Sequence, residues 1–356
     1  MLRPCVSPFR LCAPLLSIRV STAAIEAVDL AKSYGEVQAL KGVSFEVARG
    51  EIFGFLGRNG AGKSTAVRIL TTLLRPTSGQ ARVLGIDVEA HRAKVRRVLG
   101  VTLQEAALDD LMTGREHLML AGRLCGLTKA RARDRADQLL ESFGLASAAD
   151  RIAARYSGGM RRRLDVAMAL VREPQVLFLD EPTTGLDPQS RRALWMRIRE
   201  LRDRGAAVFL TTQYIAEAEE LASRVAIVHD GRLAAVDGVE ALKRRCGTTV
   251  VKLHWAGGQA PAAARFAPLD GLTVSEGDDG WMQVAVDGGE PEVPAVVARL
   301  APLGGAIERL VVEGPSLEEV FVSLTGSGID SNAGSNDSQS FSAVRRGMGF
   351  SSTRGA

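Results

Sequence analysis

The sequence predicts an α/β fold, a buried parallel sheet working at the C-terminal ends of its strands, followed by a smaller α+β unit. Three observations carry this. A glycine loop, Gly57-Arg58-Asn59-Gly60-Ala61-Gly62-Lys63-Ser64-Thr65, stands between a strand-like and a helix-like run. A wholly apolar run, Val176-Leu177-Phe178-Leu179, ends in the carboxylates Asp180 and Glu181. From Thr248 the pattern changes to short strands around turn-rich segments.

Residues 57–64 fit G-x-x-x-x-G-K-[ST] without a gap. The run from Glu51 to Leu56 reads as a strand, and Ala66 to Leu74 has helical spacing. Strand, glycine loop and helix together form a cradle for a nucleoside triphosphate. Gly60 and Gly62 let the backbone curl so that its N–H groups face phosphate oxygens. The helix N-terminus adds its positive end, and Lys63 adds a point charge for the β- and γ-phosphates. Ser64 is the expected hydroxyl ligand to Mg2+, and Thr65 the partner of the α-phosphate.

The run Val176–Asp180 suits a parallel strand buried on both faces, whose end opens on the ligand crevice. Asp180 is placed to hold Mg2+, through water. Consecutive strand residues point to opposite faces, so Glu181 is no second metal ligand. It is the expected general base for an attacking water.

Between loop and acidic pair lies Tyr156-Ser157-Gly158-Gly159-Met160-Arg161. The apolar Leu164, Ala167, Met168 and Val171 that follow have helical spacing, so Ser-Gly-Gly opens a helix whose free N–H groups attract anions. This element, placed shortly before Asp180-Glu181, resembles the signature of ATP-binding-cassette ATPases. The resemblance implies a RecA-like core with an antiparallel β-subdomain and a helical signature subdomain. It implies that Ser157, Gly158 and Gly159 close over ATP bound to a partner cassette, so a chain with one loop and one signature works as a pair. Other positions match family elements: Tyr34 the aromatic that stacks on adenine, Gln104 the glutamine that reaches magnesium and water and senses the membrane partner, and Asp187 the acidic loop that crosses to the other subunit. Arg58 stands where the family more often has proline, a change to the loop's surface rather than its cradle. The family's switch histidine is replaced by Gln213, which donates a hydrogen bond but carries no proton or positive charge. The daunorubicin-resistance group of exporter ATPases, which the chain resembles most, often has glutamine there, and an active site is expected. None of His91, His117, His229 and His254 falls at that position, and all four read as ordinary surface or loop residues.

At 356 residues the chain has room for two domains. Its 46% hydrophobic and 24% charged residues are globular in balance. Basic residues exceed acidic ones by 45 to 41 and are interspersed, so no nucleic-acid partner is expected. Cys5, Cys12, Cys125 and Cys246 lack metal or disulfide spacing and read as free thiols. No segment reaches the roughly 18 apolar residues of a spanning helix. Membrane-spanning parts are therefore expected on another polypeptide, with this chain at the cytoplasmic face.

Residues 1–24 read as a disordered extension, 25–245 as the ATPase domain with a helical subdomain at about 105–165, 246–325 as an accessory α+β domain, and 326–356 as a disordered tail. In the accessory part Val250–Trp255, Trp281–Val286 and Ala306–Val312 read as strands and Pro294–Leu300 as a helix. Ser316 with Glu319 has capping-box spacing for a last helix. That unit resembles the C-terminal domain of drug-resistance exporters, and a generic dimerisation role stays open. The expected function is ATP hydrolysis by a homodimer, driving export of a drug-like or lipid substrate through ABC-2-type permease subunits. An importer shares the cassette motifs. Non-transport relatives need long coiled-coil insertions or a second phosphate loop, and the sequence has neither.

Overall fold

The computed structural model describes residues 23–105, 107–246, 249–255, 272–276, 281–286, 293–300 and 307–326. The expected tail beyond Gly326 and the turn-rich segments after Trp255 lie outside the described residues. The first strand starts at Ala23, and Ala23 and Ala24 are buried, two residues ahead of the expected boundary.

The chain begins with the antiparallel pair β1 (Ala23–Tyr34) and β2 (Val37–Ala48) and continues through β3 (Ile52–Gly57), α1 (Lys63–Leu70), β4 (Ser78–Val83), β5 (Ile86–Asp87), α2 (Arg92–Val98) and β6 (Leu99–Thr102). The helical segment holds α3 (Gly114–Leu124), α4 (Lys129–Ser142) and α5 (Gly158–Ala169). Then come β7 (Val176–Asp180), α6 (Pro188–Asp203), β8 (Ala207–Thr212), α7 (Ile215–Leu221), β9 (Arg224–His229), β10 (Arg232–Gly238) and α8 (Val239–Cys246). The last part has β11 (Thr249–Trp255), β12 (Leu272–Glu276), β13 (Trp281–Val286), α9 (Val293–Leu300), β14 (Ile307–Glu313) and α10 (Leu317–Thr325).

The central sheet runs β10-β9-β3-β8-β7-β6 and is parallel from β9 to β6, with β10 antiparallel at one edge. Its strands alternate between two cores, as a period of two requires. Phe53, Phe55, Phe178 and Phe209 face α1 and the antiparallel sheet β2-β1-β4-β5. Ile52, Leu177, Leu179, Val208 and Leu210 face the helical segment and α6. With both faces covered, β3, β7 and β8 are buried throughout, hence their unbroken apolar sequence. Phe45 of β2 lies 5.5–5.6 Å from the rings of Phe53, Phe55 and Phe209 and so fastens one sheet to the other. This holds β3 and β8 against β2.

The accessory sheet is antiparallel, in the order β12-β13-β11-β14, with β12 an addition to the strands read from the sequence. The capping box at Ser316 is present: Ser316 accepts from the Glu319 N–H and Glu319 accepts from the Ser316 N–H. The helix it opens, α10, does not stay with the accessory sheet. Its Leu317, Val320 and Phe321 pack with Leu56, Ala218, Val225 and Leu242 of the first domain, and the Leu317 N–H donates to Glu219 at 2.9 Å. The last helix of the accessory segment thus closes back on the part of the chain that holds the parallel sheet.

Two histidine expectations are corrected. His117 is buried, on the inner side of α3. Its Nε2 accepts from the Asp109 N–H at 2.9 Å, so Nδ1 carries the proton and donates to the Thr113 carbonyl at 2.8 Å. His254 lies within β11, its ring 5.2 Å from that of Trp281. Both are structural side chains rather than loop residues.

Candidate active site

The parallel strands end at one edge of the sheet, and four chain segments leave it there: the glycine loop after β3, Gln104 after β6, Glu181 after β7 and Gln213 after β8. The fold thus gathers residues separated by more than a hundred positions into one crevice.

The loop's glycines are required by its shape. Gly60 and Gly62 have φ of 82° and 103°, a region that L side chains enter only with strain. A Cβ on Gly62 would stand 2.5 Å from the Ala39 carbonyl of β2, and one on Gly57 would stand 2.6 Å from the Val228 carbonyl of β9. The loop is therefore packed on both sides by backbone. Gly62 caps α1, and Ser64 and Thr65, in its first turn, are half-buried at the mouth. Arg58 is half-buried and Asn59 and Gly60 are exposed, while Ala61 is buried against the core. Tyr34 sits at the end of β1, in the hairpin whose other strand lies against the loop, and is 46% exposed with Lys32 5.4 Å from its ring. An exposed aromatic at the rim is the form a base-stacking platform takes.

Lys63 is buried, and its Nζ donates to the carbonyls of Gly57 and Arg58 at 2.9 and 3.2 Å. It also lies 3.0 Å from the Glu181 carboxylate, itself buried. Breaking a buried pair of this kind by removing one partner costs about 3–5 kcal/mol. Asp180, equally buried, accepts a short hydrogen bond from the Thr211 hydroxyl. Glu181 takes a φ of 48°, rare for a non-glycine residue. Its N–H donates to the Thr211 carbonyl at 3.1 Å and its carboxylate accepts from Thr184 at 3.4 Å. The expected base is thus turned out of line with β7 and held there.

Among the described residues no group of three or more His, Cys, Asp or Glu forms a metal cage. A single buried carboxylate, Asp180, and a hydroxyl on the first turn of α1, Ser64, are a donor set that suits Mg2+, which keeps waters and takes further ligands from phosphates. Gln104 is exposed on the bend after β6, and Gln213 is half-buried on the bend after β8.

Ser157 caps α5, its hydroxyl accepting from the Met160 N–H at 3.3 Å. Ser157 and Gly158 are exposed, whereas Gly159 is buried. A Cβ on Gly159 would meet the Ser190 hydroxyl at 2.9 Å and the Asp187 carboxylate at 3.6 Å. Asp187 caps α6, accepting from the Ser190 N–H at 2.9 Å, and the Ser190 hydroxyl and N–H together hold its carboxyl below the usual carboxylate range. The signature and the Asp187 loop are therefore one packed surface, and the signature's two leading residues point outward.

Sequence reasoning missed Glu217 and Thr211. Thr211 serves both acidic residues through one side chain and one carbonyl. Glu217, four residues after Gln213 on α7, is fully buried and accepts from the Trp195 indole at 3.3 Å. Burial pushes its carboxyl above the usual carboxylate range, against the lowering effect of its hydrogen bonds. Nothing in the local pattern of α7 separates it from its less buried acidic neighbours Glu219 and Glu220.

Residues 40–184 match the family described as ABC transporter. The chain is 44% identical over 308 residues to the daunorubicin/doxorubicin resistance ATP-binding protein DrrA of Streptomyces peucetius, covering 86% of this chain and 93% of that protein. It is 40% identical over 307 residues to the Nod factor export ATP-binding protein I of Paraburkholderia xenovorans, covering 85% and 97% respectively. A dimeric ATP-binding cassette solved in a post-hydrolysis state with ADP and Pi aligns with a TM-score of 0.57 and 26% identity, over 60% of this chain and 98% of that one.

Gly62→Ala is expected to raise the ATP Kd at least tenfold, about 1.4 kcal/mol, because the new methyl meets backbone on β2; equilibrium binding of labelled ATP measures it. For Glu217 the raised folded pKa means that its contribution to stability is present below the ordinary carboxylate pKa and is lost as pH rises through the folded value. Glu217→Gln abolishes that titration. The melting temperature of the variant relative to the parent should therefore climb as pH rises above the ordinary carboxylate range, and a difference that does not change with pH would refute the buried-carboxyl assignment.

Proposed function

The chain belongs to the ATP-binding subunits of ABC transporters, and from that premise we propose how its own residues hydrolyse ATP and what the motion drives. The observation that carries the reading is the buried contact of Lys63 with Glu181 at the mouth of the phosphate loop. A triphosphate in the loop offers Lys63 a stronger anionic partner than a carboxylate, and the lysine's transfer to the β- and γ-phosphates frees Glu181. Glu181 then accepts a proton from the water that attacks the γ-phosphorus, and the bond to the β–γ bridging oxygen breaks to leave ADP and phosphate. Gln213 orients that water or the γ-phosphate as a neutral donor. Ser64 and Gln104, with Asp180 through water, would hold Mg2+, which when bound offsets phosphate charge. Gly57 to Thr65 wrap the phosphates, and Tyr34 stacks on adenine.

The outward-facing Ser157 and Gly158 support a site completed by a second copy of this chain. In such a head-to-tail homodimer the N-terminus of α5 caps the γ-phosphate held by the partner subunit, and Asp187 lies at the crossing. ATP closes the pair and hydrolysis reopens it. We assign residues 25–245 to this ATPase domain, 105–165 to its helical subdomain and 246–325 to the accessory domain. Among the described residues no helix is long and apolar enough to cross a membrane. In this reading the work is done on separate ABC-2-type permease subunits docked near Gln104 at the cytoplasmic face. Relatives named for daunorubicin/doxorubicin resistance and for Nod factor export support export of a drug-like or lipid-like cargo.

Glu181→Gln is expected to lower kcat by about 10²–10⁴ while leaving ATP binding intact and trapping an ATP-held dimer visible by size-exclusion chromatography. Unchanged turnover would remove Glu181 from the role of base. Tagged chain solubilised gently from native membranes should bring down a multi-spanning permease identified by mass spectrometry. Recovery of ribosomes or DNA with no permease would overturn the transport reading and leave the ATPase chemistry standing.

A further inference from the structure

Behind the crevice lies a charged side chain that neither the nucleotide motifs nor the proposed chemistry employs. Arg162 sits in the second turn of α5, five residues beyond the Ser157 cap, and is 6% exposed. A guanidinium is buried only where its donors are met, and here they are met by backbone from separate segments. Nη1 donates to the Leu103 carbonyl at 2.6 Å, Nη2 to the Asp180 carbonyl at 2.7 Å and Nε to the Pro182 carbonyl at 3.0 Å. Nη1 also meets the Asp165 carboxylate, one turn along the same helix, at 3.1 Å.

The choice of carbonyls is informative. Asp180 and Pro182 flank Glu181, so one planar group holds a carbonyl of each neighbour of the residue that takes a φ of 48°. Leu103 immediately precedes Gln104. The same guanidinium therefore touches the segment bearing the base and the segment bearing the glutamine, and it is rooted in the helix whose first turn bears Ser157 and Gly158. A left-handed conformation in a non-glycine residue is strained and persists where its surroundings over-determine it. Arg162 supplies much of that over-determination. Asp165 balances its charge within the helix and does not reach either segment; burial, only partly offset by Arg162, raises its carboxyl to about 6.

We infer that Arg162 is a positioning residue for hydrolysis: it fixes the main chain on both sides of Glu181, and that of Leu103 before Gln104, to the signature helix. Movement of α5, which presents its first turn to the partner's nucleotide, is thereby conveyed to the base of its own site. The inference rests on the reading of Glu181 as the base.

The test uses the full chain with three changes. Arg162→Lys keeps the charge beside Asp165 but offers one nitrogen where three served, so it separates geometry from charge. We expect the ATP Kd to stay within about twofold while kcat falls about tenfold to a hundredfold, the scale on which small misplacements of reacting groups act. The circular dichroism spectrum and melting profile should remain those of a folded chain. A folded Arg162→Lys chain with kcat within about twofold of the parent, or with Kd and kcat worsening together in step with a loss of folded protein, overturns the inference. If Arg162→Lys does not fold, Arg162→Met/Asp165→Leu removes the buried pair as a unit, a replacement that proteins often tolerate, and the same criteria apply to it. Glu181→Gln is measured alongside. Retained turnover there defeats the assignment of the base itself; its loss, with normal turnover in the Arg162 variants, defeats this inference alone.

Discussion

The crevice depends on the burial of its charges. Lys63, Asp180, Glu181, Arg162, Asp165 and Glu217 are all screened from solvent within one end of the central sheet. Each ion removed from water costs several kcal/mol unless another group meets it, so the local structure is organised around partners. Lys63 has the loop carbonyls and Glu181; Asp180 has Thr211; Arg162 has three carbonyls and Asp165. A triphosphate brings more negative charge into this array than any of its carboxylates. The array is therefore poised to rearrange at Lys63, the one buried cation on the loop, while the remaining contacts keep their geometry.

That division between a mobile contact and fixed ones follows the architecture. Strands β3, β7 and β8 are parallel and buried on both faces, and Phe45 laces β3 and β8 to β2, so the edge from which the loops spring is rigid. The signature lies on another body, the helical segment, and meets the core through Gly159 against Ser190 and through Arg162. A glycine contact transmits position by steric fit alone; a guanidinium transmits it through directed hydrogen bonds. The two together join the outward face of the molecule to Glu181, which is what the proposed site shared between two subunits requires.

The sequence made some of this legible and left the rest hidden, for physical reasons. The loop at 57–65 could be read because its geometry is local: left-handed glycines, a lysine and a helix start are consecutive. The helix start at Ser157 and the Ser316 capping box were legible on the same ground, since each bonds a residue three positions away. Thr211 and Arg162 were not, because their partners lie 18–59 residues distant and carbonyl acceptors have no sequence signature. His117 was misjudged because burial on α3 depends on how that helix packs, and Glu217 because a carboxylate is ordinarily a surface group. The boundary at 245 was read from the change in pattern and falls within α8, and pattern could not show that α10 returns to pack on α7 and α8. Ala23 and Ala24 were assigned to the extension since two alanines carry no strand alternation of their own.

The glutamine at 213 completes the electrostatic argument. A histidine there can share a proton or place positive charge near the γ-phosphate, and an amide does neither. In the proposed mechanism proton acceptance therefore falls on Glu181, and compensation of the developing phosphate charge falls on fixed dipoles and on Lys63. The dipoles are the N–H groups of the glycine loop, the N-terminus of α1 and, across the pair, the N-terminus of α5. Such preorganised donors act without moving at the moment of reaction, and their benefit depends on placement. A site that relies on placement in this way has more to lose from a loose backbone at Glu181 than one with a second titrating group. Thr211, Thr184 and Arg162 bind that backbone and its side chain from three directions, which is the compensation this chain carries for the missing imidazole.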